Sequence, residues 1–120
     1  MIPNCTEEEI ACEAARNNYI RAAQMAASLG WSEEKVRELQ WEALWQMALN
    51  RNVAGTLMLA QEYGISKSEL QSYLEGRAER MRKEGENKAL VACYDLRSRK
   101  YLTFEEWLES LLKRWLKIRL

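Results

Sequence analysis

The chain has 120 residues, a length that corresponds to one domain of ordinary size with its own hydrophobic core. Its 18 basic and 18 acidic side chains give a formal net charge of zero, and 48% of the residues are hydrophobic, which is typical of a globular protein. The sequence contains no histidine, so catalytic mechanisms and metal sites that depend on imidazole are excluded. We therefore expect no enzymatic activity, no cofactor and no metal site.

The cysteines and the first residues suggest where the protein resides. Cys5, Cys12 and Cys93 form no C-x-x-C pair, and an odd number of thiols is typical of a reducing compartment. The opening sequence MIPNCTEEE lacks the pattern of a targeting peptide. The longest apolar run, residues 89–94, is much shorter than the roughly 20 residues of a membrane span. We expect a cytoplasmic protein that does not enter a membrane.

Apolar residues recur at helical spacing along most of the chain, and turn residues divide it into segments. Thr6 and Glu9 have capping-box spacing at the start of the first segment, which ends at Gly30. This pattern predicts an all-α protein of about six helices, arranged as consecutive helical hairpins in one compact domain, residues 1–120. The predicted helices cover residues 7–29, 33–49, 54–63, 67–84, 88–96 and 104–118.

The second half of the chain contains two further capping patterns and one ambiguous segment. Ser66 with Glu69, and Thr103 with Glu106, have the Ser/Thr-to-Glu spacing that marks the start of a helix. The apolar centre of segment 88–96 is compatible with a short helix and equally with a strand.

Residues 56–74 have the spacing of two helices joined by a tight turn. A small residue, Ala60, lies in the first helix, Gly64 lies where the turn needs a positive φ, and the apolar Ile65 follows. This segment resembles the helix-turn-helix of phage-repressor-like DNA-binding proteins. The resemblance implies a helix-turn-helix unit, residues 54–83, whose second helix contacts duplex DNA. The side chains that would contact DNA are Ser66, Lys67, Ser68, Gln71, Ser72 and Arg77.

The same spacing also describes a structural hairpin with no role in DNA binding. The turn at Gly30 repeats it, but the next helix there begins Ser-Glu-Glu-Lys, and its acidic residues would repel phosphate. Charge is distributed unevenly along the chain. Residues 1–50 contain eight acidic and four basic side chains, whereas residues 51–120 contain ten and fourteen. The second part is therefore the one that favours an anionic partner.

The last predicted helix has about as many apolar residues as a core-facing stripe can hold. Large apolar side chains near a chain end are covered either by core packing or by a partner. The residues proposed for such an interface are Trp107, Leu111, Leu112, Trp115 and Leu116.

The sequence favours a small, non-enzymatic binding or adaptor protein that acts through helix surfaces. Its expected partner is another protein or a second copy of the chain. The alternative is a helix-turn-helix transcriptional regulator that binds duplex DNA through residues 66–82. Neither a membrane nor a metal ion is among the expected partners.

Overall fold

The computed structural model describes residues 7–115, which contain six α-helices, one 3₁₀ helix and one two-stranded hairpin. The helices are α1 (Glu7–Ala15), α2 (Tyr19–Ser28), α3 (Glu33–Leu49), α4 (Val53–Glu62), α5 (Lys67–Lys83) and α6 (Phe104–Lys113). The 3₁₀ helix is Asn87–Leu90, and the antiparallel strands are β1 (Cys93–Asp95) and β2 (Lys100–Leu102). The structure is 71% helical, which confirms the all-α prediction.

The prediction of one continuous helix over residues 7–29 is wrong, because the chain turns between α1 and α2. Asn17 has a φ of 62°, a left-handed conformation that asparagine adopts more readily than most residues. The Asn18 side-chain amide donates to the Glu13 carboxylate at 2.8 Å, and the two helices pack against each other. The turn thus forms two helices that cover each other's apolar sides.

The residue contacts divide the chain into two compact units, one ending at Gln46 and the other beginning at Met47. In the first unit, Ile10 of α1 is buried with Ala22, Met25 and Ala26 of α2. The alanines have small side chains, so the two helices can approach closely. The prediction of one domain for residues 1–120 stays a prediction.

In the second unit, α4 and α5 are joined by the tight turn that the sequence predicts at Gly64. Gly64 has a φ of 70°, a conformation that glycine adopts at little cost. Ser66 Oγ accepts from the Glu69 backbone N–H at 3.2 Å, and the Glu69 carboxylate accepts from the Ser66 N–H at 2.9 Å. The capping box predicted at Ser66 is therefore present. Helix α6 packs beside α5, and Arg82 pairs with Glu105 across them.

The predicted helix over residues 88–96 is wrong. The 3₁₀ helix ends at Leu90, and the chain then enters β1. The turn after β1 begins at Asp95, whose carboxylate accepts from the Ser98 N–H at 2.9 Å and whose carbonyl accepts from the Arg99 N–H at 2.8 Å. Arg99 takes the left-handed conformation, with a φ of 58°, and leads into β2. These local bonds, together with the contacts of β2 on α6, make the segment a hairpin.

Candidate functional site

The side chains proposed to contact DNA lie on α5 or at its start, and they differ in exposure and in their neighbours. Ser66, Ser68 and Ser72 are exposed to solvent. Arg77 is partly buried and is engaged along its own helix, because its Nη1 donates to the Tyr73 hydroxyl at 2.6 Å. The Arg77 guanidinium also lies 5.7 Å from the centre of the Tyr73 ring. The structure therefore presents the serines to solvent and holds Arg77 against Tyr73.

The other two residues of that set face α6. Lys67 and Gln71 line a groove of about 410 Å³ between α5 and α6, which also contains the carboxylates of Glu75, Glu105 and Glu109. The Gln71 amide donates to the Glu75 carboxylate at 3.4 Å. Carboxylates beside Lys67 lower the positive potential that attracts phosphate. Lys113 also lines this groove and pairs with Glu109, and Arg82 pairs with Glu105, so the charge on this side of α5 is mixed.

The residues proposed as an interface on the last helix are mostly part of the core. Trp107 is 3% exposed, Leu111 is 0% exposed and Leu112 is 9% exposed. Trp115 is partly buried, and Leu116 lies outside the described residues. Side chains that the chain itself buries have no surface left for a partner. Among the described residues, the interface prediction therefore reduces to Trp115.

The β-hairpin carries large apolar side chains in solvent, which the sequence did not lead us to expect. Leu96 is 83% exposed, Tyr101 is 70% exposed and Tyr94 is 49% exposed. Tyr94 pairs with Tyr101 across the two strands. Their rings pack edge to face, with centroids 5.2 Å apart. We call Tyr94, Leu96 and Tyr101 the hairpin face. Arg97, Arg99 and Lys100 are exposed in the same turn and strand.

Arg51, in the turn between α3 and α4, connects that turn to the segment leading into the hairpin. Its Nη2 donates to the Val91 carbonyl at 3.0 Å. Its Nη1 lies 3.4 Å and 3.3 Å from the carbonyl oxygens of Ala48 and Leu49. The guanidinium lies 5.1 Å from the centre of the Phe104 ring. Partial burial of the guanidinium lowers the pKa of Arg51.

A second groove of about 410 Å³ lies between the α3–α4 turn, the hairpin and α6, and we call it the arginine groove. Arg51, Arg97 and Arg114 line it together with one carboxylate, Asp95. Hydrogen bonds from Ser98, aided by the charges of Arg114 and Arg97, lower the pKa of Asp95. Asp95 is therefore ionised at neutral pH, and three cations against one anion leave the groove positively charged.

Trp107 also lines the arginine groove and adds an unused hydrogen-bond donor. Its side chain is 3% exposed, and its indole Nε1–H is buried without an acceptor among residues 7–115. A buried donor without a partner is rare, and it costs roughly 1–3 kcal/mol. The groove thus combines excess positive charge with a donor that the described chain does not satisfy.

Little in the sequence identified these two features. Residues 97–100 stand out there only as a basic connector between helices. The signal for the hairpin is the pair Tyr94 and Tyr101 on either side of a polar turn that begins with Asp95. The arginine groove has no local signal, since Arg51 and Arg114 are far apart along the chain.

Comparison with protein-family models, with curated proteins and with solved structures finds no match to this chain. Within residues 7–115, no group of His, Cys, Asp and Glu side chains is arranged to hold a metal ion. None of the helices in that range has both the length and the apolar character needed to cross a bilayer. Inference about function therefore depends on the surfaces described above.

Proposed function

We propose that this chain is a non-enzymatic, cytoplasmic binding protein whose second unit binds an acidic segment of another protein through the hairpin face. The observation that carries the proposal is the exposure of Tyr94, Leu96 and Tyr101 on one short hairpin. Tyrosine and arginine are among the residues that most often carry binding energy at protein interfaces. The free thiols of Cys12 and Cys93 fit a reducing compartment.

The charge beside the hairpin face selects the kind of partner. Arg97, Arg99 and Lys100 are exposed close to the apolar side chains. Complementary charge steers association and rejects partners of the wrong sign. A segment that alternates acidic and apolar residues would match both properties of this surface.

Two short strands are marginally stable on their own, and contacts on both sides of this hairpin support it. The contact between Tyr94 and Tyr101 fixes the outer side of the hairpin. On the inner side, the pair Cys93 and Leu102 is partly buried. Side chains that are already fixed lose less entropy when a partner binds.

The proposal is tested with a fluorescent synthetic peptide of alternating glutamate and leucine residues, and with the same peptide carrying lysine for glutamate. Fluorescence anisotropy should show that the glutamate peptide binds and the lysine peptide does not. The affinity for the glutamate peptide should fall as the salt concentration is raised. Tyr101→Ser should reduce the affinity by about tenfold, the loss of one interface anchor. The control is Met58→Ser, because Met58 is 63% exposed on α4 and lies outside the hairpin.

Equal binding of the lysine peptide, or equal losses in Tyr101→Ser and Met58→Ser, would refute the proposal. Light scattering of the chain alone separates a protein partner from a second copy of this chain. A molar mass of twice the 14.1 kDa of the chain would indicate self-association. Trp115→Glu should then give a monomer that stays helical.

DNA binding through α4 and α5 is the second candidate function. It is favoured by the α4–α5 turn, with Gly64 at a φ of 70°, and by the exposure of Ser68 and Ser72 on the second helix. If it holds, Lys67→Ala should weaken binding to any duplex, and Gln71→Ala should relax sequence preference at one base pair. Retention on duplex DNA at low and moderate salt is the measurement, and no retention at low salt would exclude this function.

A further inference from the structure

We propose that the arginine groove is a carboxylate-binding site, filled by an acidic side chain of the partner or by a small free dicarboxylate. The first of these sources rests on the proposed function, because it needs a protein partner at the neighbouring hairpin face. Tyr94 and Leu96 belong to the hairpin face and also line the groove. A segment bound on that face would therefore pass beside the groove.

Two of the three groove arginines are placed to meet such a ligand. The guanidinium of Arg51 is occupied by carbonyl groups and by the Phe104 ring. Within residues 7–115, the side chains of Arg97 and Arg114 make no salt bridge shorter than 4.0 Å and no hydrogen bond. Guanidinium groups bind carboxylates through two parallel hydrogen bonds. Arg97 and Arg114 thus supply the charge and the donors for one carboxylate.

Trp107 provides an independent observation that points to the same ligand. Its buried Nε1–H lacks an acceptor among the described residues, and its side chain forms part of the groove wall. In the proposed complex, an oxygen of the carboxylate accepts from this donor. Binding would then remove the cost of a buried, unpaired N–H group.

The charge and size of the groove favour a carboxylate over a phosphate dianion. Asp95 lies in the groove and accepts from the Ser98 N–H, so a phosphate dianion would bring both of its charges close to this carboxylate, whereas the two charges of a dicarboxylate are on separate groups. The groove volume of about 410 Å³ is typical of sites for small ligands. It is large enough for an acidic side chain or for a dicarboxylate such as succinate.

The experiment follows the indole N–H signal of Trp107 by NMR, assigned by its loss in Trp107→Phe. The probes are succinate, inorganic phosphate, sodium chloride at equal ionic strength, and the glutamate–leucine peptide. Succinate should shift the signal in a saturable way, and chloride should leave it unchanged. Arg114→Gln should weaken succinate binding about tenfold, the effect of losing a bidentate contact. The control is Arg80→Gln, which alters an exposed arginine of α5 that lies outside both the groove and the hairpin.

The outcomes separate this inference from the proposed function. If succinate binds and the peptide does not, the groove takes a free dicarboxylate. The groove inference then holds, and the proposed function is wrong. If Tyr101→Ser no longer binds the peptide but still binds succinate, both proposals are supported. If neither succinate nor the peptide moves the Trp107 signal, or if phosphate or chloride moves it equally, the groove inference is wrong. The peptide can still bind the hairpin face in that last case.

Discussion

Replacing Arg51 by alanine should destabilise the second unit, because this side chain ties two distant segments together. Its guanidinium joins the carbonyl groups at the end of α3 to the Val91 carbonyl, 40 residues further along the chain. The same group lies over the Phe104 ring at the start of α6. Alanine removes all of these contacts at once.

The expected loss follows from the geometry of each contact. The 3.0 Å hydrogen bond from a charged donor to Val91 contributes about 1.5 kcal/mol. The bonds of 3.4 Å and 3.3 Å to Ala48 and Leu49 are long and contribute about 0.5 kcal/mol each. The contact with Phe104 adds roughly 0.5–1 kcal/mol, and partial burial of the charge opposes this by a similar amount. The unfolding free energy should fall by about 2–3 kcal/mol.

Arg99→Ala is a matched control for this change. Arg51 and Arg99 have φ values of 57° and 58°, so alanine meets the same left-handed backbone at both positions. Arg99 is exposed in the hairpin turn, and its replacement should change stability by less than about 0.5 kcal/mol. Urea unfolding followed by circular dichroism gives both values. If the two variants agree within about 0.5 kcal/mol, the contacts of Arg51 contribute nothing, and the reasoning is refuted.

Three further predictions test the turn, the hairpin and the core. Gly64→Ala should lower the free energy of unfolding by about 1–2 kcal/mol, because Gly64 has a φ of 70°. Gly76→Ala, inside α5, should raise it by up to about 1 kcal/mol. Urea unfolding in which both variants change stability in the same direction would contradict this. The folded-state pKa of Asp95 lies below its ordinary value of 3.8. The ionised carboxylate therefore contributes its full stabilisation of the fold above pH 3.8, and this stabilisation is lost as the pH falls through the folded-state pKa. The stability difference between the wild type and Asp95→Asn should therefore be constant near neutral pH and shrink only in acid, as unfolding measured across pH will show. Leu111→Ala should cost about 2–5 kcal/mol, because Leu111 is fully buried. Thermal or urea unfolding should show almost no change for Leu96→Ala, because Leu96 is 83% exposed.

The features that the sequence predicts correctly depend on residues close together in the chain. The capping boxes at Ser66 and Thr103 each join two residues three positions apart. Gly64 ends the α4 segment because its own backbone conformation cannot continue a helix. The all-α class follows from helical spacing repeated over most of the chain. Such features are decided by local bonds and by the pattern of apolar residues.

The candidate site was only partly accessible to sequence reasoning. In the structure, Ser66, Ser68 and Ser72 lie at the N-cap and in the first half of α5, and all three are exposed. Their contact with DNA stays a prediction. The sequence could not show that Lys67 and Gln71 lie beside α6, because that contact joins distant parts of the chain. It named Trp107 for its apolar character, whereas the structure adds the buried N–H at the arginine groove.

The sequence by itself determined the helical class, the turn at Gly64 and the capped starts of α5 and α6. Only the tertiary structure decided between helix and strand for residues 88–96, because a short apolar run carries no clear period. There the bond from Arg51 to the Val91 carbonyl and the packing of β2 on α6 favour the extended chain. The arginine groove exists for the same reason: Arg51, Arg97 and Arg114 become neighbours only when these distant segments pack together.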